Sequence, residues 1–256
     1  MYQQQNAPQS IGGVLDSGFR LYRESLPQAY LLAAIAALVT APANLLQPYL
    51  VTAGITGVVG APGLVILAVV LAAVIAYGAL IGRIDAVARG APLPLGQALL
   101  LGVKRMGSMI LCGLVTIIVV IVGLCLFIIP GFIFMIWFLF APFAVVIGQR
   151  GPIESLSYSY AIVRGHWWRT AALLTIIGIV VMVAYLLFGI GVSIAVISDP
   201  VAAQTGQVPW YVTLLVGPAL AALIGPLTYA LMLAIFYDLR LRHEGGDLAA
   251  RIAATA

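Results

Sequence analysis

The sequence predicts an all-α integral membrane protein with six transmembrane helices and amphipathic interfacial helices on the cytoplasmic side. Three observations predict it. Of 256 residues, 63% are hydrophobic and 8% charged, against roughly 25% charged in a soluble domain. The polar residues needed to cover a water-facing surface are missing, so apolar surface must face lipid. Four long stretches, 25–82, 106–149, 170–198 and 200–237, contain no charge at all. The Lys and Arg residues occur in short clusters at the ends of these runs.

A helix needs about 20 apolar residues to cross the hydrocarbon core, so the first two stretches hold two crossings each and the last two hold one each. Ahead of them lies an amphipathic segment, 10–25. Ile11, Val14, Leu15, Gly18, Phe19 and Tyr22 recur there at helical spacing against Asp16, Ser17, Arg20, Arg23 and Glu24. This segment is expected to lie flat on the cytoplasmic leaflet with its arginines toward headgroups. Spans 29–46 and 64–82 follow, separated by breaks at Pro48 and at Pro62-Gly63. A second amphipathic segment, 94–107, ends in Lys104 and Arg105 and leads into spans 109–129 and 132–148, which turn at Pro130-Gly131. A third, 152–168, carries Ser155, Ser157 and Ser159, whose alternation puts them on different helix faces. Spans 170–197 and 212–236, joined by 198–210, complete a single domain, 1–256. The three amphipathic segments, beginning at Ile11, Leu95 and Ile153, are open to two readings. They are three repeats of interfacial helix plus two spans, or connectors that any membrane surface would make amphipathic.

In this layout every Lys and Arg falls on one side, and the opposite loops around 47–63, 130 and 198–210 have none. The positive-inside rule then puts both termini in the cytoplasm of a bacterial inner membrane, with Asp199 the one charge on the far side. The net charge of +4 forms clusters suited to anionic headgroups, not the continuous basic face that nucleic acid needs. Met1 to Gln9 lacks the basic region of a cleavable signal, so the mature chain is expected to begin there.

Candidate chemistry is sparse. Cys112 and Cys125 share one uncharged run without metal-ligand companions and are expected to be buried small apolar residues. His243 has no such companion either, and His166, beside Trp167, Trp168 and Arg169, reads as an interface anchor. No nucleophile has a positioned base. No catalytic residue, metal or cofactor is therefore expected. None of the six spans carries a charge; their polar residues are Asn44, Gln47, Thr116, Tyr185, Thr228 and Tyr229. Small-residue columns at Gly217, Ala221 and Gly225, and at Gly57 and Ala61, predict close helix contact. Pro42, Pro142, Pro218 and Pro226 predict kinks. Arg20, Arg23, Arg83, Asp85, Glu154, Arg164, Asp238 and Arg240 form a candidate cytoplasmic site for an anionic headgroup or a partner. The plain reading of the same residues is topology and solvation. Asp85 and Asp238 each directly follow a span, where a carboxylate among arginines is usually paired.

Several strings carry a likeness: Ile128-Ile129-Pro130-Gly131, Phe140-Ala141-Pro142, Gly151-Pro152-Ile153-Glu154 through Arg164-Gly165-His166-Trp167-Trp168-Arg169, and Tyr237-Asp238-Leu239-Arg240. With the opening helix they resemble the YciC-like inner-membrane family and the membrane domain fused to some glycerophosphodiester phosphodiesterases. The resemblance implies a six-span fold and a link to lipid metabolism or envelope maintenance. In the fused proteins hydrolysis belongs to a separate barrel domain absent here, so that activity is not implied. Two functions remain in play: a non-catalytic protein binding membrane lipids or another membrane protein, and a transporter or exporter of a hydrophobic or amphipathic molecule. Oligomeric state is not legible.

Overall fold

Inside lipid, backbone groups have no water to pair with, so long apolar runs satisfy themselves as helices. The protein, seen here as a computed structural model, is described over residues 7–52, 61–205, 208–209 and 211–255, with side chains described over 7–40, 63–205, 208–209 and 211–245. Every regular element among these residues is helical: α1 (Ile11–Thr52), α2 (Ala61–Ala88), α3 (Leu95–Leu126), α4 (Ile128–Phe138), α5 (Ala141–Val146), α6 (Pro152–Arg164), α7 (Trp167–Ser198), α8 (Pro200–Thr205), a π-helical turn (Val212–Val216) and α9 (Gly217–Thr255). Five runs among them are long and apolar enough to cross a membrane, namely Gly63–Ala88, Leu95–Leu126, Ile128–Val146, Trp167–Ser198 and Val212–Gly245. This is a multi-pass membrane protein. The expected span 29–46 falls within α1, and part of it, with Pro42, Asn44, Gln47, Pro48, Gly57 and Ala61, lies outside the residues whose side chains are described.

Two of the expected amphipathic segments are not separate elements. Segment 10–25 is the start of α1, and 94–107 is the start of α3. At about 1.5 Å per residue, the 42-residue α1 is roughly 63 Å long, about twice the hydrocarbon thickness, so its charged end projects beyond the core. Its apolar face there (Val14, Gly18, Leu21 and Ser25) is buried in protein, and Gly18 packs so closely on Leu231 of α9 that a Cβ would meet the leucine backbone at 3.1 Å. An amphipathic stripe meets lipid and a neighbouring helix with the same pattern, which is why the sequence alone misassigned it. Segment 152–168 does separate, as α6, and breaks at Gly165 and His166 before α7.

The α3–α4 turn comes at Phe127, extended at φ −159° and ψ 147°, not at Pro130-Gly131. Pro130 sits in the first turn of α4, where a missing N–H costs nothing. Gly131 instead faces Gly123 across the hairpin, where an added Cβ on Gly123 would come within 3.0 Å of the Gly131 Cα. Gly90 (φ 71°) ends α2. The Ala91 N–H bonds Ala86 O at 2.9 Å and the Gly90 N–H bonds Val87 O at 3.0 Å, a Schellman closure that needs a left-handed residue. On the far side, Asp199 caps α8, its Oδ1 accepting from the Val201 and Ala202 N–H groups at 2.9 and 3.1 Å.

The packed core lies toward the charged end. Phe140, Phe143 and Phe236 meet with ring centroids 5.9–6.4 Å apart, in one buried cluster with Leu21, Ile84, Ile162 and Leu233. Cys112 belongs to this core, but Cys125 is exposed on the outer part of α3, where the helix packs through Gly123 on its opposite side.

Candidate functional site

Two features stand out: a carboxylate network at the charged end and a cleft in the apolar region. Tyr237 and Asp238 are consecutive on α9, about 100° apart around the helix, and so reach different neighbours. The Tyr237 hydroxyl donates to Oδ1 of Asp85, whose Oδ2 accepts from Arg89 one turn further along α2. Asp238 is fully buried. Its Oδ1 accepts the Gln9 N–H at 2.8 Å, and its Oδ2 accepts from Arg169 Nη2 at 3.1 Å and Arg242 Nε at 2.9 Å. Both arginines also donate to the Gln9 carbonyl at 2.6 Å. Helices α7 and α9 and the segment before α1 are thus tied at one carboxylate, with enough donors to offset its burial.

These carboxylates lie just past the expected spans 64–82 and 212–236, on helical continuations of the same runs. The helical runs Gly63–Ala88 and Val212–Gly245 extend past the apolar stretches and include Asp85 and Asp238. Arg169 is turned inward, its side chain 19% exposed, while Trp168 beside it is 82% exposed. The eight candidate residues do not converge on one site. Arg20 pairs with Asp16 on an exposed face of α1, and Arg23 is exposed on the same helix. Glu154 approaches Arg150 at 3.6 Å, Arg164 lies 5.7 Å from the Tyr160 ring, and Arg240 pairs with Glu244 at 2.7 Å. Asp85 and Asp238 are buried and bonded. Arg83 is also buried, at 8% exposure, with no partner for its Nε. Reading the residues in order missed Gln9, Arg89, Arg169, Tyr237 and Arg242. The Arg89 and Arg242 positions, each four residues after a carboxylate, carried a helical-pair signal; Gln9 and Arg169 carried none.

Two titrating groups flank this end outside the spans. Burial, reinforced by Arg242, holds the His166 imidazole below its usual range, with Asp238 opposing. Burial also raises the Tyr158 phenol, over which the Arg150 guanidinium stacks at 3.8 Å. Ser155 and Ser159 are both buried, one helical turn apart on the same face, and Ser157 points away. Ser159 donates to Trp137 O at 2.6 Å.

The cleft, of about 410 Å³, lies between α1, α2, α7 and α9. Its size is within the usual range for small-molecule sites, roughly 300–1,000 Å³. Alanines form much of the wall (Ala33, Ala36, Ala73 and Ala76), with Tyr77, Tyr229 and Tyr185 bringing phenols into it. The column Ala221 and Gly225 also lines it. Close helix contact was expected there, but nothing lies within 4 Å of where a Gly225 Cβ would be. Small residues open space as readily as they close it; the neighbouring helix decides which. The tight approaches occur instead at Gly18, Gly78, Gly82, Gly102 and Gly123. A second hollow of about 480 Å³ lies among α3, α4 and α6 beside Trp137 and Tyr160.

A family model described as a domain of unknown function, DUF7847, matches residues 30–239, and the chain belongs to that family. No curated protein matches, and no solved structure matches. The matched span takes in the cleft, Asp85, Arg169 and the Tyr237-Asp238 pair.

Proposed function

We propose that this DUF7847 member is a non-catalytic protein of a bacterial inner membrane that holds an amphiphilic molecule of the bilayer in the cleft between α1, α2, α7 and α9. Six crossings put both termini in the cytoplasm, and the role is in envelope maintenance. The cleft carries the reading. It is apolar, of ligand size, and walled by small residues with phenols set among them, the mix by which binding sites combine an apolar body with a few orienting polar groups.

Mass spectrometry of the protein extracted directly into native-lipid nanodiscs tests this against an Ala36→Trp variant, which fills the cleft. A lipid or lipid-linked molecule enriched with the wild type and lost from the variant supports the reading; equal retention by both defeats it. An enriched polypeptide insensitive to Ala36→Trp would make this a partner subunit instead. Reporter fusions at residues 56, 130 and 204 test the topology, and a cytoplasmic signal at any of them would overturn the six crossings.

The second reading, transport or export of an amphiphile, draws on Pro226. This residue lies inside α9, next to Gly225 of the cleft wall, and removes a backbone bond where bending would open the site. Uptake or release of the enriched molecule by proteoliposomes, reduced by Pro226→Ala, is its test.

A further inference from the structure

Charges buried in the charged end are paired, with one exception. Asp85 has Tyr237 and Arg89, and Asp238 has Arg169, Arg242 and the Gln9 N–H. Arg83 is 92% buried, and among the described residues it makes no hydrogen bond or ion pair. Asp85 is two positions away on the same helix and therefore about 200° around it, with both oxygens already engaged. A guanidinium whose Nε is buried without a partner and which has no counter-charge is stabilised by an anion supplied beside it.

A second unpartnered group lies on the neighbouring helix α1. The side-chain oxygen of Gln28 on α1 is buried without a hydrogen-bond partner. Leu32 on α1 and Leu80 on α2 both line the cleft, and the two helices run in opposite directions. Gln28 comes four residues before Leu32, and Arg83 comes three after Leu80. Along their own axes they lie about 6 Å (Gln28) and about 4.5 Å (Arg83) from these cleft residues, displaced toward the charged end. An amide can present either its oxygen or its two N–H donors, so Gln28 can serve an anion beside Arg83.

We propose that the cleft takes an anionic amphiphile, its carboxylate or phosphate headgroup held by Arg83 and Gln28 at the charged edge and its apolar tail lying among the alanines of α1 and α2. This rests on the cleft-binding reading above and assigns the charge class of the occupant. Planar guanidinium donors suit both oxyanions.

The test uses the full-length protein in nanodiscs, equilibrated in turn with oleate, lysophosphatidylglycerol, lysophosphatidylcholine and inorganic phosphate, with retention read by native mass spectrometry. The wild type should retain the two anionic amphiphiles about tenfold over the zwitterionic one and should not retain phosphate alone. Arg83→Gln should bring that preference close to one, lowering retention of the two anionic amphiphiles more than that of lysophosphatidylcholine, whose phosphate is offset by its choline, and Arg83→Lys should keep part of it. Gln28→Leu, which leaves the arginine in place, should lower the preference without abolishing it, giving an independent reading if Arg83→Gln does not fold. No anionic preference in the wild type, or one that survives Arg83→Gln, overturns the charge assignment. Phosphate retained as well as the amphiphiles overturns the assignment of a tail. Ala36→Trp separates the two proposals: it lowers retention of all three amphiphiles if the cleft binds them, and equal retention of all three rejects the cleft itself.

Discussion

Helices α7 and α9 are both long, apolar and glycine-bearing, yet 50% of the most apolar window of α9 is buried in the protein against 11% for α7. On α9, Leu231, Leu233, Ala234, Ile235 and Phe236 are all buried; on α7 beyond Ile177, Met182, Leu186, Leu187, Ile190 and Ile194 are all exposed. The less apolar of the two is the more buried. Lipid tails are as apolar as leucine, so helices in a bilayer associate through close fit and polar ties rather than hydrophobic burial. Helix α9 has both, with Gly18 of α1 against Leu231 and the Tyr237 and Asp238 bonds. Gly178, Gly189 and Gly191 of α7 have nothing within 4 Å to receive a Cβ. The outer half of α7 therefore meets lipid, and its separation from α9 leaves room for the cleft.

The sharpest way to break this contrast is to remove the polar tie. Asp238→Ala strands Arg169 and Arg242 in the interior and should cost about 3–5 kcal/mol, read as a lowered midpoint of unfolding in mixed micelles. A loss near zero would mean that the network is not what anchors α9. Truncating the aromatic core with Phe236→Ala should cost about 3–5 kcal/mol in the same assay, whereas Leu186→Ala on the lipid-facing part of α7 should stay within about 0.5 kcal/mol. Equal costs would show that both helices are packed alike.

Glycines sharpen the comparison further because the expected signs are opposite. A Cβ at Gly102 would collide with the Ile75 backbone, so Gly102→Ala should destabilise by about 1–3 kcal/mol. At Gly189, where space is open, alanine should stabilise by up to about 1 kcal/mol through helix propensity. Thermal unfolding of the two variants side by side decides it.

The smallest expected effect is a pH dependence. The native His166 imidazole is held below its usual range by burial and by Arg242, so the native state binds fewer protons than the unfolded one. Its contribution to stability is complete above the unfolded value of about 6.5 and is lost as pH falls through the lowered native value. His166→Gln should flatten the unfolding midpoint across that acidic window. An unchanged slope would assign the acid sensitivity elsewhere.

Much of the fold was legible because the bilayer imposes a one-dimensional rule: runs of uncharged residues long enough to cross must be helical, and charge must lie at their ends. Five of the expected spans correspond to such helices. The Pro130-Gly131 turn was displaced to Phe127 because a proline is as well accommodated in the first helical turn as in the loop before it. Of the candidate site, Arg83 was named from its place beside a span, but its isolation was not visible, since pairing depends on which way each side chain points. Gln28 was passed over because a single uncharged amide at the edge of an expected span carries no periodic signal.

The sequence by itself determined the all-helical class, the position of the apolar runs and the gathering of charge at their ends, because each follows from transfer of residues between water and lipid. Tertiary structure alone decided that α1 and α3 run unbroken through their amphipathic segments, that Asp238 joins Gln9, Arg169 and Arg242, and that Gly102 closes on its neighbour while Gly225 borders a cleft. These outcomes depend on the distance and rotation between helices, and a small residue, a buried carboxylate or an amphipathic stripe has the same one-letter code whichever neighbour it meets.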